Sequence, residues 1–242
     1  MSDNRESKLA VRIWRGDAHG RFERYDVPRH PSQTVLDVVS HVQQHVDPTL
    51  AYRFACRVGM CGSCAMTVNG KARWTCRTHV DAVTSGAVLE VAPLNNLPIV
   101  RDLVVDMTPF FDKWAAARGA FAGTTTRHDD FARVAPSSPQ RRAIDATIEC
   151  IGCAVCYASC DVVGWKPDYL GPAALNRAWT LVNDVRDGEG VARLRAVSGD
   201  DGCQACHTHQ SCTERCPKHL SPTAAIAGLK RRVAVAAIKG EL

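Results

Sequence analysis

The first third of the chain shows two hydrophobic patterns, one typical of strands and one typical of a helix. Apolar side chains occupy alternate positions in residues 8–14 and 21–27, which predicts two strands joined by a turn containing a Gly-Asp pair. Valines then recur at helical spacing from Val35 to Val46, directly after Thr34, whose side chain suits a helix N-cap. The pattern therefore predicts strand, strand and helix, in that order.

A cysteine-rich loop follows, and after it the strand pattern returns. Residues 65–75 have the pattern of a hairpin that turns at Asn69-Gly70, and residues 87–93 predict a further strand. Together with the preceding elements, they predict a small α+β domain that ends near residue 106.

The rest of the chain is helical in pattern. Residues 109–121 predict one helix, and a polar connector follows at residues 123–140. Residues 171–188 predict another helix, with Pro172 in its first turn and Gly188 at its end. The change of pattern divides the chain into an α+β domain, residues 1–107, and an α-helical domain, residues 108–242.

Composition and charge narrow the function classes. The 242 residues are 45% hydrophobic and 23% charged, as in a globular protein of one large or two ordinary domains. The net charge of +5 is spread along the chain and aromatic residues make up only 6%, which argues against a nucleic-acid partner. No apolar run is long enough to span a bilayer, because basic residues interrupt residues 223–240, which predict an amphipathic helix.

Twelve cysteines are the most informative feature of the composition. An even number is compatible with disulfides, but the N-terminal MSDNRESK lacks the hydrophobic segment of a secretory signal. We therefore expect reduced thiols that bind metal or carry redox chemistry.

The stretch CRVGMCGSC, residues 56–64, has the C-x4-C-x2-C spacing of a plant-type [2Fe–2S] site. Gly59 and Gly62 allow the backbone to wrap closely around a cluster. Zinc sites more often use paired C-x2-4-C units, so a zinc site is the weaker interpretation. The predicted [2Fe–2S] ligands are Cys56, Cys61, Cys64 and Cys76.

Two further runs of cysteine lie in the second half. Residues 150–160 have the C-x2-C-x2-C-x3-C spacing of bacterial ferredoxins, in which the fourth cysteine ligates the other cluster. Residues 206–217 keep this frame, except that His209 fills the middle cysteine position. If the last cysteine of each run ligates the cluster of the other run, one site has four thiols and the other has three. The predicted ligands are Cys150, Cys153, Cys156 and Cys216 for a [4Fe–4S] cluster, and Cys160, Cys206 and Cys212 for a [3Fe–4S] cluster.

Two residues leave the ligands of the third site undecided. His209 either ligates a fourth iron or lies beside the cluster without ligating it. Cys203 is either recruited as a ligand or is a small buried apolar residue. We favour the second interpretation for both, because Cys203 falls outside the repeating frame.

The order of these motifs resembles the iron–sulfur subunit of succinate dehydrogenase and quinol:fumarate reductase. The likeness extends through CRVGMCGSCAMTVNGK, LPIVRDLVVDMTPFF, PDYLGPAAL and CPKHLSPTAAI. It implies a β-grasp plant-type ferredoxin domain followed by an α-helical bacterial-type ferredoxin domain. It also implies the [2Fe–2S] ligands given above and supports the ligand sets of the other two clusters.

The resemblance further implies a quinone site beside the [3Fe–4S] cluster. By position, Trp165 matches the tryptophan of that site and His207 matches a histidine near the same cluster. The simpler alternatives are a core aromatic residue and a hydrogen-bonded neighbour of the cluster. Asp161 stands where the family usually has proline, and His209 where relatives more often have an apolar or small residue.

The function implied by the resemblance is electron transfer in succinate:quinone oxidoreductase, between the FAD of a flavoprotein subunit and a membrane quinone, with no substrate-level catalysis in this chain. The implied partners include one or more membrane-anchor subunits, with or without haem b. The expected location is peripheral, on the cytoplasmic face of a bacterial inner membrane. The alternatives are fumarate reductase working in the opposite direction, a freestanding ferredoxin, and a zinc-stabilised interaction module.

Overall fold

The computed structural model describes residues 8–84 and 88–242. Most of the N-terminal stretch without a secretory signal, and Ala87 of the predicted last strand, lie outside the described residues. The chain divides into two compact units, each continuous in space but not in sequence. The first consists of the residues up to Met107 with Cys153–Ala158, and the second of Thr108–Gly152 with Ser159–Leu242.

A five-stranded mixed sheet organises the first unit. Its order is β2-β1-β5-β3-β4, with β1 parallel to β5 and antiparallel to β2, and β3 antiparallel to both β4 and β5. A separate hairpin joins β6 and β7. The strands are β1 (Lys8–Arg15), β2 (Arg21–Pro28), β3 (Ala65–Val68), β4 (Lys71–Trp74), β5 (Leu89–Ala92), β6 (Ile99–Arg101) and β7 (Val104–Val105).

The predicted helix is present but shorter than its valine pattern. Helix α1 spans Val35–His41 and continues as a π-helical turn at Val42–Val46. Thr34 caps it as predicted, because its hydroxyl accepts the Asp37 N–H at 3.2 Å while the Asp37 carboxylate accepts the Thr34 N–H at 3.0 Å. The π turn changes the helical register, so Val46 is 50% exposed instead of facing the core.

The core of the first unit follows from the period-two pattern of β1. Leu9, Val11 and Ile13 point to one face of the sheet and are at most 3% exposed. They pack in one apolar cluster with the valines of α1 and with Leu89 of β5. Asn69 and Gly70 adopt φ values of 47° and 74°, as a two-residue hairpin turn requires, and join β3 to β4 where the sequence predicted.

The β6–β7 hairpin, which the sequence pattern did not predict, carries a buried charge at its turn. The Asp102 side chain is 2% exposed and accepts the N–H groups of Gly16 at 2.7 Å and Ala51 at 2.8 Å. It also accepts Arg15 Nε at 3.2 Å, while the Arg15 guanidinium contacts Asp47 as well. This network ties the end of β1 to the loop before the cysteines and to the hairpin after them.

Helices make up the second unit. Its buried ion pair joins Arg193 and Asp187, both 0% exposed at the side chain, through bonds of 2.8 and 2.9 Å. Short 3-10 turns lie at Thr147–Glu149 and Cys203–Ala205. The helices, with α4 belonging to the first unit, are α2 (Thr108–Ala116), α3 (Pro139–Ile144), α4 (Val155–Ala158), α5 (Asp161–Trp165), α6 (Gly171–Val182), α7 (Gly190–Val197), α8 (Ser211–Glu214) and α9 (Pro222–Ile238).

Two predicted helices end early. The helix predicted over residues 109–121 stops at Ala116, and Arg118 then adopts a φ of 52° that no helix continues through. The helix predicted over residues 171–188 stops at Val182, where the Asn183 side chain donates to the Trp179 carbonyl at 2.8 Å. Across the described residues, no helix has the combined length and apolarity needed to cross a membrane.

Candidate metal centres

The first group of thiols lies on the loop between the π turn and β3. Arg57, Gly59 and Gly62 all adopt positive φ there, at 57°, 74° and 72°. A Cβ on Gly59 would lie 3.0 Å from the Arg77 side chain and 3.2 Å from the Trp74 ring. The loop therefore requires glycine at this position both for its backbone conformation and for space.

This loop turns its backbone N–H groups toward sulfur. Cys56 Sγ accepts the N–H groups of Met60 at 3.2 Å, Cys61 at 3.3 Å and Val58 at 3.5 Å. Hydrogen bonding from Ser63, and then from the Cys56 N–H, lowers the pKa of Cys61 to about 6. Converging N–H donors of this kind stabilise thiolate and are typical of anion and iron–sulfur sites.

Cys76 reaches the same place from a 3-10 turn after β4. Thr75 fixes this approach, because its N–H and hydroxyl donate to the Cys64 carbonyl at 3.2 and 2.8 Å. Burial, followed by interaction with the Cys64 thiol, raises the pKa of Cys76 to about 11, and the charge of Cys56 acts in the same direction. The structure therefore brings the four predicted thiols together, and this all-sulfur donor set surrounded by N–H groups fits a [2Fe–2S] cluster.

The residues predicted to hold the [4Fe–4S] cluster fall in both units of the chain. Cys153 and Cys156 belong to the segment that groups with the first unit. In the second unit, burial raises the pKa of Cys150, the Gly152 N–H lowers it, and the charge of Cys216 raises it. Cys150 and Cys216 thus lie close enough to interact, and the complete four-thiol set stays a prediction.

The third group of thiols lines a cavity in the second unit. Cys160, Cys206 and Cys212 share this cavity with Tyr169 and Thr223. Burial raises the pKa of Cys160, and the charges of the other two thiols raise it further. The three predicted thiols are therefore neighbours, and their chemistry fits a cluster held by three sulfur ligands.

Two hydroxyl groups, which the sequence analysis did not single out, complete this cavity. Tyr169 is 1% exposed and lines the cavity with Cys206; burial, followed by the charge of Cys206, raises the pKa of its phenol. Thr223 Oγ1 lies 3.4 Å from Cys212 Sγ. Tyr169 lies two residues before α6 and Thr223 lies in the first turn of α9; neither belongs to a cysteine motif, so only the fold reveals them. Hydrogen bonds to ligating sulfur are one of the ways in which a protein sets a cluster's potential.

Cys203 and His209 take different places. Cys203 is fully buried on its 3-10 turn and is not among the described residues that line the cavity. Burial raises the pKa of Cys203, whereas the charge of Lys230 lowers it. His209 does line the cavity, together with His207.

Two of the rings that line this cavity, His207 and His209, are near each other, and the His209 ring also lies near Trp165, which is not among the lining residues. The centroid of the His209 ring is 5.9 Å from that of Trp165 and 6.2 Å from that of His207. Trp165 is 63% exposed, so the alternative that it is an ordinary core residue is wrong. Asp161 lines the cavity as well.

Within the described part of the chain, no three His, Cys, Asp or Glu side chains are placed to hold a single metal ion. An iron–sulfur cluster makes a different demand, because its thiolates are shared among two or more irons, at most two to each, and no single iron needs three of them.

Family models match both halves of the chain. The model described as a 2Fe-2S iron-sulfur cluster binding domain matches residues 9–112, and the model described as a 4Fe-4S dicluster domain matches residues 146–220. The α+β fold, the thiol groups and these two domain models thus define an iron–sulfur protein with a 2Fe-2S domain followed by a 4Fe-4S domain.

Relatives narrow this class to one family. The chain is 39% identical over 198 residues to the "Succinate dehydrogenase [ubiquinone] iron-sulfur subunit 2, mitochondrial" of Oryza sativa subsp. japonica; the match covers 81% of this chain but 63% of that protein. It is 35% identical over 208 residues to the "Fumarate reductase iron-sulfur subunit" of Escherichia coli O157:H7, covering 86% of this chain and 83% of the relative.

A solved structure agrees with these relatives. A chain of the "Mycobacterium smegmatis Sdh1 complex in the apo form" superposes with a TM-score of 0.84 at 29% identity, covering 95% of this chain and 97% of that one. The chain belongs to the family of iron–sulfur subunits of succinate dehydrogenase and fumarate reductase, which confirms the resemblance in the motifs. It is an electron-transfer subunit of an oxidoreductase complex, with 2Fe-2S and 4Fe-4S domains.

Proposed function

We propose that this chain conducts electrons between the FAD of a flavoprotein subunit and a membrane quinone, within a succinate:quinone oxidoreductase. When bound, the clusters supply one-electron redox centres that connect a flavin accepting electron pairs with a quinone at a distance. The observation that carries the proposal is that one unit gathers four thiols, three from a loop and one from a 3-10 turn, while the other unit has a three-thiol cavity. The names of the relatives support the succinate and fumarate chemistry.

The chain's own part is to hold and tune these centres. We propose that Cys56, Cys61, Cys64 and Cys76 bind [2Fe–2S], that Cys150, Cys153, Cys156 and Cys216 bind [4Fe–4S], and that Cys160, Cys206 and Cys212 bind [3Fe–4S]. In the loop, N–H groups directed at Cys56 favour its thiolate form. In the cavity, the buried Tyr169 phenol lies beside the Cys206 thiol, and Thr223 Oγ1 lies 3.4 Å from Cys212 Sγ. We assign no substrate-level catalysis to this chain.

The proposed domains are a β-grasp ferredoxin domain, residues 1–107, and an α-helical ferredoxin domain, residues 108–242. The mixed sheet with α1 packed on it supports the first, and the helices around the cavity support the second. We propose that membrane-anchor subunits, with or without haem b, hold the chain peripherally on the cytoplasmic face of a bacterial inner membrane. The similar M. smegmatis chain was solved as part of a complex, which supports assembly of this chain with partner subunits.

We propose that Trp165 and His207 line the quinone site, with His209 between their rings as a neighbour of the cluster. The 63% exposure of Trp165 leaves its indole available to a ligand. In the assembled complex, Trp165→Leu should slow quinone reduction at least tenfold, while succinate still reduces an artificial acceptor at the flavin. The control is Trp14→Leu, a substitution in the first unit. Equal loss of both activities in the Trp165 variant would contradict the assignment.

The direct test of the whole proposal is EPR of the anaerobically purified chain, oxidised and then reduced with dithionite, together with iron and acid-labile sulfide analysis. We expect a [3Fe–4S] signal on oxidation and a [2Fe–2S] signal on reduction. Stoichiometric zinc without sulfide would support the interaction-module alternative. The E. coli relative's name keeps fumarate reductase as a second candidate, which the ratio of succinate-oxidising to fumarate-reducing rates of the complex decides.

A further inference from the structure

The outer face of α9 is apolar, although it is exposed. The helix packs Ala225, Ile226 and Leu229 inward, in contact with α6 and α7. A helix on a protein surface normally turns charged and polar residues outward. In α9, however, Val235 is 50% exposed and Ile238 is 87% exposed. The exposed apolar residues of this face are Ala224, Ala227, Ala234, Val235, Ala237 and Ile238.

Positively charged side chains lie among these apolar residues. Arg231, Arg232 and Lys239 are exposed, and none of them forms an ion pair with a described carboxylate. The chain contains no Asp or Glu from residue 215 to residue 240. From residue 224 to residue 239 it also contains no Ser, Thr, Asn or Gln. The face therefore combines cationic groups with apolar ones and offers no neutral polar side chain.

A cavity lies along one edge of this face. Arg232 and Lys239, seven residues apart, lie on the same side of the helix and line the cavity with Trp179 of α6 and with Glu241, which follows the helix. The indole of Trp179 covers Gly228, where a Cβ would lie only 2.6 Å from the ring, and its N–H donates to the Ala143 carbonyl at 3.0 Å. The aromatic wall of the cavity is thus fixed, while the other wall is exposed and carries three cationic side chains and one carboxylate.

We propose that this face of α9 lies in the headgroup layer of a bilayer that contains anionic phospholipids. Guanidinium and ammonium groups form charge-assisted hydrogen bonds with lipid phosphates. Their methylene stems, together with Val235 and Ile238, match the boundary between headgroups and acyl chains. An acidic protein would also satisfy the charges, but protein interfaces are enriched in aromatic residues and methionine and depleted in alanine, whereas four of the six exposed apolar residues of this face are alanines. The inference goes beyond the proposed function, because it gives this chain its own membrane contact.

Vesicle binding tests the proposal. The full chain, purified anaerobically with its clusters and without anchor subunits, is sedimented with phosphatidylcholine vesicles and with vesicles containing 30% phosphatidylglycerol (about a third anionic lipid). Binding should require the anionic lipid and weaken with salt. At about 1 kcal/mol for each cation, the triple variant Arg231→Gln, Arg232→Gln, Lys239→Gln should bind on the order of a hundredfold more weakly.

Matched controls separate this face from net charge. The triple variant Arg127→Gln, Arg133→Gln, Arg142→Gln removes the same charge from exposed positions elsewhere in the second unit, and should bind nearly as the parent does. Ile238→Ser should weaken binding, whereas Val191→Ser, at a residue 43% exposed on α7, should not. Soluble glycerol phosphate distinguishes a bilayer from a free phosphate ligand, because millimolar competitor should leave vesicle binding almost unchanged.

Three results would overturn the proposal: equal binding to both vesicle types, equal loss in the two triple variants, or displacement by glycerol phosphate at low concentration. Weaker assembly of the α9 variant with the flavoprotein or anchor subunits, with unchanged vesicle binding, would instead assign the face to a protein partner. Cluster EPR signals, recorded for every variant, report separately on the proposed function.

Discussion

Replacing Asp102 by Asn should destabilise the first unit far more than removing a surface carboxylate does. Asp102 is 2% exposed at its side chain and holds two backbone N–H groups and the Arg15 guanidinium. Asparagine keeps the shape of the side chain but loses the charge, and its amide group turns a donor toward one of the N–H donors. Breaking a buried ion pair on one side costs about 3–5 kcal/mol.

Arg15 keeps Asp47 as a partner in this variant, so the lower end of the range, about 3 kcal/mol, is expected. That value corresponds to an approximately 150-fold increase in the equilibrium for opening the sheet. Hydrogen–deuterium exchange of β1 and β2 peptides, measured by mass spectrometry on the cluster-loaded protein, reports this equilibrium directly when closing is faster than exchange.

The matched control is Asp81→Asn. Asp81 pairs with Arg29, but its side chain is 66% exposed, and exposed pairs contribute at most about 1 kcal/mol. We therefore expect no more than about a fivefold change in exchange for this variant. Similar exchange in the two variants would refute the argument that burial of Asp102 makes its network strong.

Three further substitutions probe the metal centres. Gly59→Ala should abolish the [2Fe–2S] EPR signal, whereas Gly70→Ala, with the same φ of 74° but nothing within 4 Å of its Cβ, should retain it; loss in both would mean that backbone strain alone is responsible. Tyr169→Phe should lower the potential of the third cluster, measured by EPR redox titration, because a phenol O–H directed at the neighbouring Cys206 sulfur would stabilise the reduced, more negative state; an unchanged potential would remove that role. His209→Cys restores the C-x2-C-x2-C-x3-C frame and should add a fourth iron at the expense of the oxidised [3Fe–4S] signal, whereas His209→Ser should keep three irons; if His209→Ser also changes the iron count, the native imidazole is itself a ligand.

Local signals in the sequence were sufficient where local chemistry decides the structure. Asn69-Gly70 turns because both residues accept positive φ, and Thr34 caps α1 because its hydroxyl reaches the first turn. The predicted end of the helix over residues 171–188 was wrong for a non-local reason. Asp187 lies in the segment predicted as helix, but it is held by Arg193, which comes from the next helix. No propensity of the segment itself contains that contact.

The β6–β7 hairpin was missed for a similar reason. Its exposed strand residues, such as Val100, give no clear alternation, and its turn is fixed by Asp102 at a φ of 52°. That conformation is maintained by Arg15, 87 residues away. Aspartate tolerates the left-handed conformation in turns, but an aspartate in the sequence does not by itself predict a turn.

The third metal centre marks the boundary between what spacing can predict and what requires the fold. Spacing alone selected three thiols and left His209 in the position of a fourth. The fold shows which side chains His209 contacts: its ring lies near those of Trp165 and His207. It also adds the phenol of Tyr169, whose burial and position beside Cys206 no motif encodes. Because ligand number sets the type of cluster whereas burial and hydrogen bonds set its potential, the sequence motif can predict which centre forms here, and the surrounding fold determines how readily that centre accepts an electron.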